Sequence, residues 1–140
     1  MNADQRSPVL LVVLVGSILV TGLVHLVFLP RVFPEELFVA SVYLFAGWIG
    51  FTLVFYSLGR LFSNPEPMPR LGAADYGAGL FVLSILGSLF LDTLGFSLSA
   101  VPVGHLPFAV GVYVGLALIG WSVGERTVAI NRAVASSEDS

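Results

Sequence analysis

Four stretches of this chain, residues 8–29, 37–58, 76–98 and 106–124, are apolar almost without interruption. Each is close to the roughly 20 residues that an α-helix needs to cross the hydrocarbon of a bilayer. No other feature restricts the fold so strongly, because a segment in lipid must satisfy its backbone hydrogen bonds internally. The rest of the composition agrees. Of 140 residues 56% are apolar and 11% charged, with a mean hydropathy of +0.94, more apolar surface than a soluble domain of this length can bury. The expectation is an all-α fold: a four-transmembrane-helix, up-down-up-down bundle, with residues 1–140 as a single integral membrane domain and 125–140 as a cytoplasmic tail.

The first run begins near the N-terminus behind Arg6, as a secretory signal would. Its apolar stretch is too long for a signal core and no small-x-small cleavage site follows, so it reads as a retained helix. The chain has no cysteine, which removes disulfides, thiolate metal sites, iron–sulfur clusters and thiol catalysis.

Net charge is −3 and all six basic residues are arginine. Without a clustered basic face there is no footprint for nucleic acid, and the implied partners are the lipid bilayer, other membrane proteins or further copies of the chain. The acidic, lysine-free composition and the tail Ser136-Ser137-Glu138-Asp139-Ser140 have the character of a halophilic archaeon. Arginines near helix ends also set orientation. Arg6, Arg60, Arg70, Arg126 and Arg132 share one side if there are four crossings, against Arg31 alone on the other. Both termini are therefore expected in the cytoplasm, in a cell membrane or a viral envelope.

Local signals suggest boundaries. Pro34 with Glu35 and Glu36 suits the first turn of the second helix, where proline loses no hydrogen bond and carboxylates meet the positive end of the dipole. Asp75 suits the N-cap of the third. The loop Ser63–Arg70, with a proline at every second position from Pro65 to Pro69, reads as a stiff extended spacer. Beyond Gly124 the chain lacks helix breakers, so the fourth helix is expected to run on for two or three turns. Phe33, Phe38, Tyr56, Tyr76 and Trp121 lie near run ends, as an interfacial belt requires.

An internal repeat is suggested by laying the first run on the third and the second on the fourth. Ser17-Ile18-Leu19 then meets Ser84-Ile85-Leu86, His25 meets Asp92, Tyr43 meets Tyr113 and Gly50 meets Gly120. This reads as a tandem duplication of a two-helix hairpin about an axis along the membrane normal. Ser17, Thr21 and His25 form one stripe, as do Ser84, Ser88 and Asp92. Gly111-x-x-x-Gly115 and Gly120-x-x-x-Gly124 add close-packing surface to the fourth helix.

Two ionisable groups stand inside the runs, His25 and Asp92, each roughly 8–10 Å outward of the bilayer centre by helical rise. A carboxylate there is costly and normally finds a partner inside the bundle, so the expectation is a His25–Asp92 pair. Tyr43, Thr93 and, at the outer mouth, His105 complete a candidate polar site. The commoner meaning of such a pair is a packing lock, and the functional one is a proton or solute site. Haem ligation by the two histidines is disfavoured by their unequal depths. No metal, cofactor or catalytic set is indicated, and the chain does not read as an enzyme. Two functional expectations follow: a structural or accessory subunit or scaffold of a membrane assembly or envelope, or a small oligomeric transporter or channel using His25 and Asp92.

Overall fold

The computed structural model describes residues 7–140 and contains helices, turns and no strand among them. Among the described residues four helices are long and apolar enough to cross a membrane, the architecture of a multi-pass membrane protein. They are α1 (Pro8–Val32), α2 (Leu37–Phe62), α3 (Gly72–Thr93) and α4 (Leu106–Glu138), the last preceded by one 3-10 turn, Pro102–His105. Arg6 lies outside the described residues.

The boundaries differ from expectation where proline and glycine act. Pro8 sits in the first turn of α1, where its missing N–H costs nothing. Pro30 is a different case, since its ring crowds the carbonyl of Leu26 and offers it no donor. The helix accommodates this through a π segment, Val24–Phe28, closed by the Leu29 N–H on the Val24 carbonyl five residues back. Pro34 does not begin α2. It forces the preceding residue, Phe33, into extended backbone (φ −88°, ψ 137°), and this ends α1 instead. Glu35 falls in the turn and Glu36 at the N-cap, both ahead of the first helical turn.

Helix α3 starts at Gly72, which puts Asp75 in its first turn and not at its cap. It ends at Thr93 and not at Leu98, because Gly95 takes φ +92°. There the Phe96 N–H bonds the Leu91 carbonyl and the Gly95 N–H the Asp92 carbonyl, a Schellman closure that satisfies two of the terminal carbonyls. Helix α4 continues to Glu138, about four turns past Gly124.

The helices pack in the order α1, α2, α4, α3, so α2 and α4 are central and α1 and α3 flank them. Glycines set this order. Gly50 of α2 faces Ser17 and Thr21 of α1, while Gly59 faces the backbone of Trp121 in α4. On α4, Gly111 and Gly115 face Ser84, Gly77 and Phe81 of α3, while Gly120 and Gly124 face Thr52 and Tyr56 of α2. Within each central helix the two glycine sites are nine residues apart, two and a half turns at roughly 3.6 residues per turn, which places them on opposite sides. The contacts also fix direction. Rising numbers on α2 meet falling numbers on α1 and rising numbers on α4, and α3 and α4 run oppositely.

That order and those directions are what a tandem pair of hairpins would take, but the matched residues are not equivalent. Ser17 lies against Gly50, and the repeat requires Ser84 to lie against Gly120. Ser84 lies instead against Gly111, nine residues earlier and roughly 13 Å along the helix. The order and directions are consistent with a hairpin repeat, while the Ser-Ile-Leu pairing itself is not reproduced in these glycine contacts.

On the arginine-rich side the proline loop is tied to the extension of α4. Arg126 donates to the Pro69 carbonyl (3.0 Å) and Arg132 to the Pro65 carbonyl (3.3 Å). A proline-rich strand has few internal hydrogen bonds, so its carbonyls are open to such donors.

Candidate functional site

His25 lies in the π segment of α1 and crosses α2 at Gly47, where a side chain would strike the imidazole. The missing Cβ opens a passage to α4, and there the Tyr113 hydroxyl meets His25 Nε2. On the other side of the ring Nδ1–H donates to the Thr21 carbonyl at 2.7 Å. That carbonyl also receives the Val24 N–H, three residues on, at the entry to the π segment. Nδ1 must be the donor there, since a carbonyl only accepts, while Nε2 is left to the Tyr113 hydroxyl. Phe51 packs edge-on to the Tyr113 ring, with centroids 5.0 Å apart. The buried Trp48 indole N–H is turned toward the Tyr113 hydroxyl.

His105 is built into a second cluster. Nε2–H donates to the Phe96 carbonyl at 2.7 Å and Nδ1 takes the Ser88 hydroxyl at 2.6 Å. The residue is 5% exposed, so it is not at an open mouth as expected but beneath the 94–101 loop, which it fastens to α3. Its position follows from the 3-10 turn Pro102–His105, which brings the ring back under the loop it has just left.

The expected His25–Asp92 pair does not form, for two physical reasons. The helices that carry the two residues flank opposite sides of the central pair and pack on α2 and α4, not on each other. Asp92 also lies in the last turn of α3, just before the Gly95 stop, and is exposed. Thr93 beside it is exposed too and turns its hydroxyl back to the Phe90 carbonyl (2.6 Å). Tyr43 belongs to neither cluster, stacking on Phe28 between α1 and α2 with centroids 5.1 Å apart. The five candidates thus occupy four separate places.

Sequence reasoning passed over Tyr113, Trp48 and Ser88, the true neighbours. Tyr113 carried a usable signal: a phenol well inside an apolar run requires a hydrogen-bond partner in lipid. Among the described residues no group of three or more His, Cys, Asp or Glu side chains is placed to hold a metal. Between α2, α3 and α4 lies a cavity of about 340 Å³, bordered by Trp48, Ser84, Ser88, His105, Phe108 and Tyr113. Compared with protein-family models, curated proteins and solved structures, the chain matches none.

Proposed function

We propose that the chain is a small polytopic membrane protein with a structural or accessory role, a subunit or scaffold of a membrane assembly or envelope that carries out no catalytic step. The observation that carries this reading is the employment of both histidines. Each spends both ring nitrogens on contacts that hold elements together, His25 on Thr21 and Tyr113, His105 on Ser88 and Phe96. A group that relays protons or binds solute needs a free position or an aqueous path. Asp92, the one carboxylate placed by sequence in the same layer, stands apart from both, which weighs against the transporter or channel alternative.

The outward side of α3 supports the same reading, with Tyr76, Leu83 and Phe90 turned away from the other helices and offered to lipid or to a neighbouring protein. Five arginines on one side favour both termini in the cytoplasm. The test is extraction from native membranes in a mild detergent, followed by mass measurement and reconstitution. The expected result is an assembly heavier than the 14.9 kDa chain with its bound detergent, and liposomes with no pH-driven flux. A lone chain that conducts protons or a small solute in liposomes would overturn the reading.

A further inference from the structure

The contact between His25 and Tyr113 is equipped for one kind of chemistry that needs no opening to solvent. With Nδ1–H held on the Thr21 carbonyl, an uncharged imidazole has only its Nε2 lone pair left, and that pair meets the Tyr113 hydroxyl. The phenol proton thus has a positioned base beside it. Gly47, Trp48 and Phe51 stand around the pair, and none carries a charge. No substrate has to reach such a site for an electron to leave it, because electrons tunnel through packed protein. A phenol that loses an electron becomes a strong acid, so its oxidation is easy where the proton passes at once to a base.

The chain has four tyrosines, and the other three are placed differently. The Tyr56 hydroxyl receives Arg60 Nη1 at 3.2 Å, a donor and not a base. Tyr43 stacks on Phe28, and Tyr76 is 79% exposed. The second imidazole, His105, is engaged with Ser88 and Phe96. Trp48 adds a route outward. Its indole N–H is turned to the Tyr113 hydroxyl, while its ring borders a groove between α2 and α3 with Phe45 and Ile49, both exposed on the lipid side. An indole is itself oxidised by one electron, so a relay stands between the lipid face and the buried phenol.

We infer that Tyr113 is a redox-active tyrosine, which gives one electron by way of Trp48 to a lipid peroxyl radical and its proton to His25. In this step the Tyr113 O–H bond breaks and an N–H bond forms at His25 Nε2, leaving a neutral phenoxyl beside an imidazolium. The peroxyl radical gains the electron and takes a proton from interfacial water to become the hydroperoxide. This inference goes beyond the scaffold reading, and either can fail alone.

Flash oxidation in nanodiscs by photogenerated tris(bipyridine)ruthenium(III) tests the step, with the phenoxyl followed by its absorption and by high-field EPR. A variant carrying Tyr43→Phe, Tyr56→Phe and Tyr76→Phe together should keep the phenoxyl yield, and Tyr113→Phe should lose it. His25→Leu should slow phenoxyl formation about 100-fold, the lower end of what a positioned base contributes to proton transfer. It should also raise the largest g value, since the imidazolium no longer bonds the phenoxyl oxygen. In liposomes of polyunsaturated phosphatidylcholine with a lipid-soluble azo initiator, the wild-type chain should delay lipid oxidation and Tyr113→Phe should not. The triple variant leaves His25 and its partners untouched, so it decides the matter even if His25→Leu fails to fold. No phenoxyl in the triple variant would overturn the inference. So would a rate indifferent to His25→Leu, or an equal delay of lipid oxidation by Tyr113→Phe.

Discussion

His25 shows how little a polar residue's sequence position says about its partner. The distance from His25 to Tyr113 in sequence is large, and their contact depends on a third residue, Gly47, that does nothing except lack a side chain. An interhelical hydrogen bond in a membrane protein is worth on the order of 0.5–1.5 kcal/mol. Thermal unfolding of His25→Leu, Tyr113→Phe and the double variant in detergent should give non-additive losses of that order. The corresponding cycle with Asp92→Asn should be additive, and coupling between His25 and Asp92 would contradict the placement of α1 and α3 on opposite flanks. Gly47→Ala should cost about as much as Tyr113→Phe, because its new methyl group displaces the imidazole from its path. The depth of His25 was legible in the sequence. Its partner was not, since depth fixes only one coordinate and the azimuth depends on which helices are neighbours.

Helix neighbours were in fact written in the sequence, in the spacing of glycines and not in matched words. Nine residues separate Gly50 from Gly59 on α2 and Gly111 from Gly120 on α4, and each interval turns a small face to the opposite side of its helix. This identifies α2 and α4 as the helices with neighbours on both sides. The word matches between runs say less about neighbours, because apolar helices draw on few residue types, and Ser17 and Ser84 meet different glycines. Gly120→Ala should cost about 1–3 kcal/mol by driving a methyl group into the Thr52 carbonyl. Gly16→Ala and Gly22→Ala, where the new group meets no neighbouring helix, should not lower the unfolding temperature. Equal losses at all three sites would mean that helix contact does not distinguish them, since alanine by itself favours a helix over glycine. At the end of α3, Gly95→Ala should cost about 1 kcal/mol, since φ +92° suits only glycine. Run length alone could not reveal that stop, as Phe96 and Leu98 are as apolar as the helix before them.

For the whole molecule, hydropathy gave the number of spans, and the registers of the packed helices give their alternating directions. The side of the membrane rests on arginine, two of which also fasten the proline loop to the extension of α4 through Arg126 and Arg132. Loop, extension and the start of α1 consequently lie at one end of the bundle, with the Phe33–Glu36 turn and the 94–101 loop at the other. Labelling intact cells with a membrane-impermeant thiol reagent tests this most directly, because the chain has no cysteine of its own. Single variants Glu35→Cys and Ser99→Cys should label from outside, whereas Ala3→Cys, Glu66→Cys and Ser136→Cys should label only after the membrane is opened. Outside labelling at position 3, 66 or 136, or protection at both 35 and 99, would contradict the proposed placement of both ends in the cytoplasm.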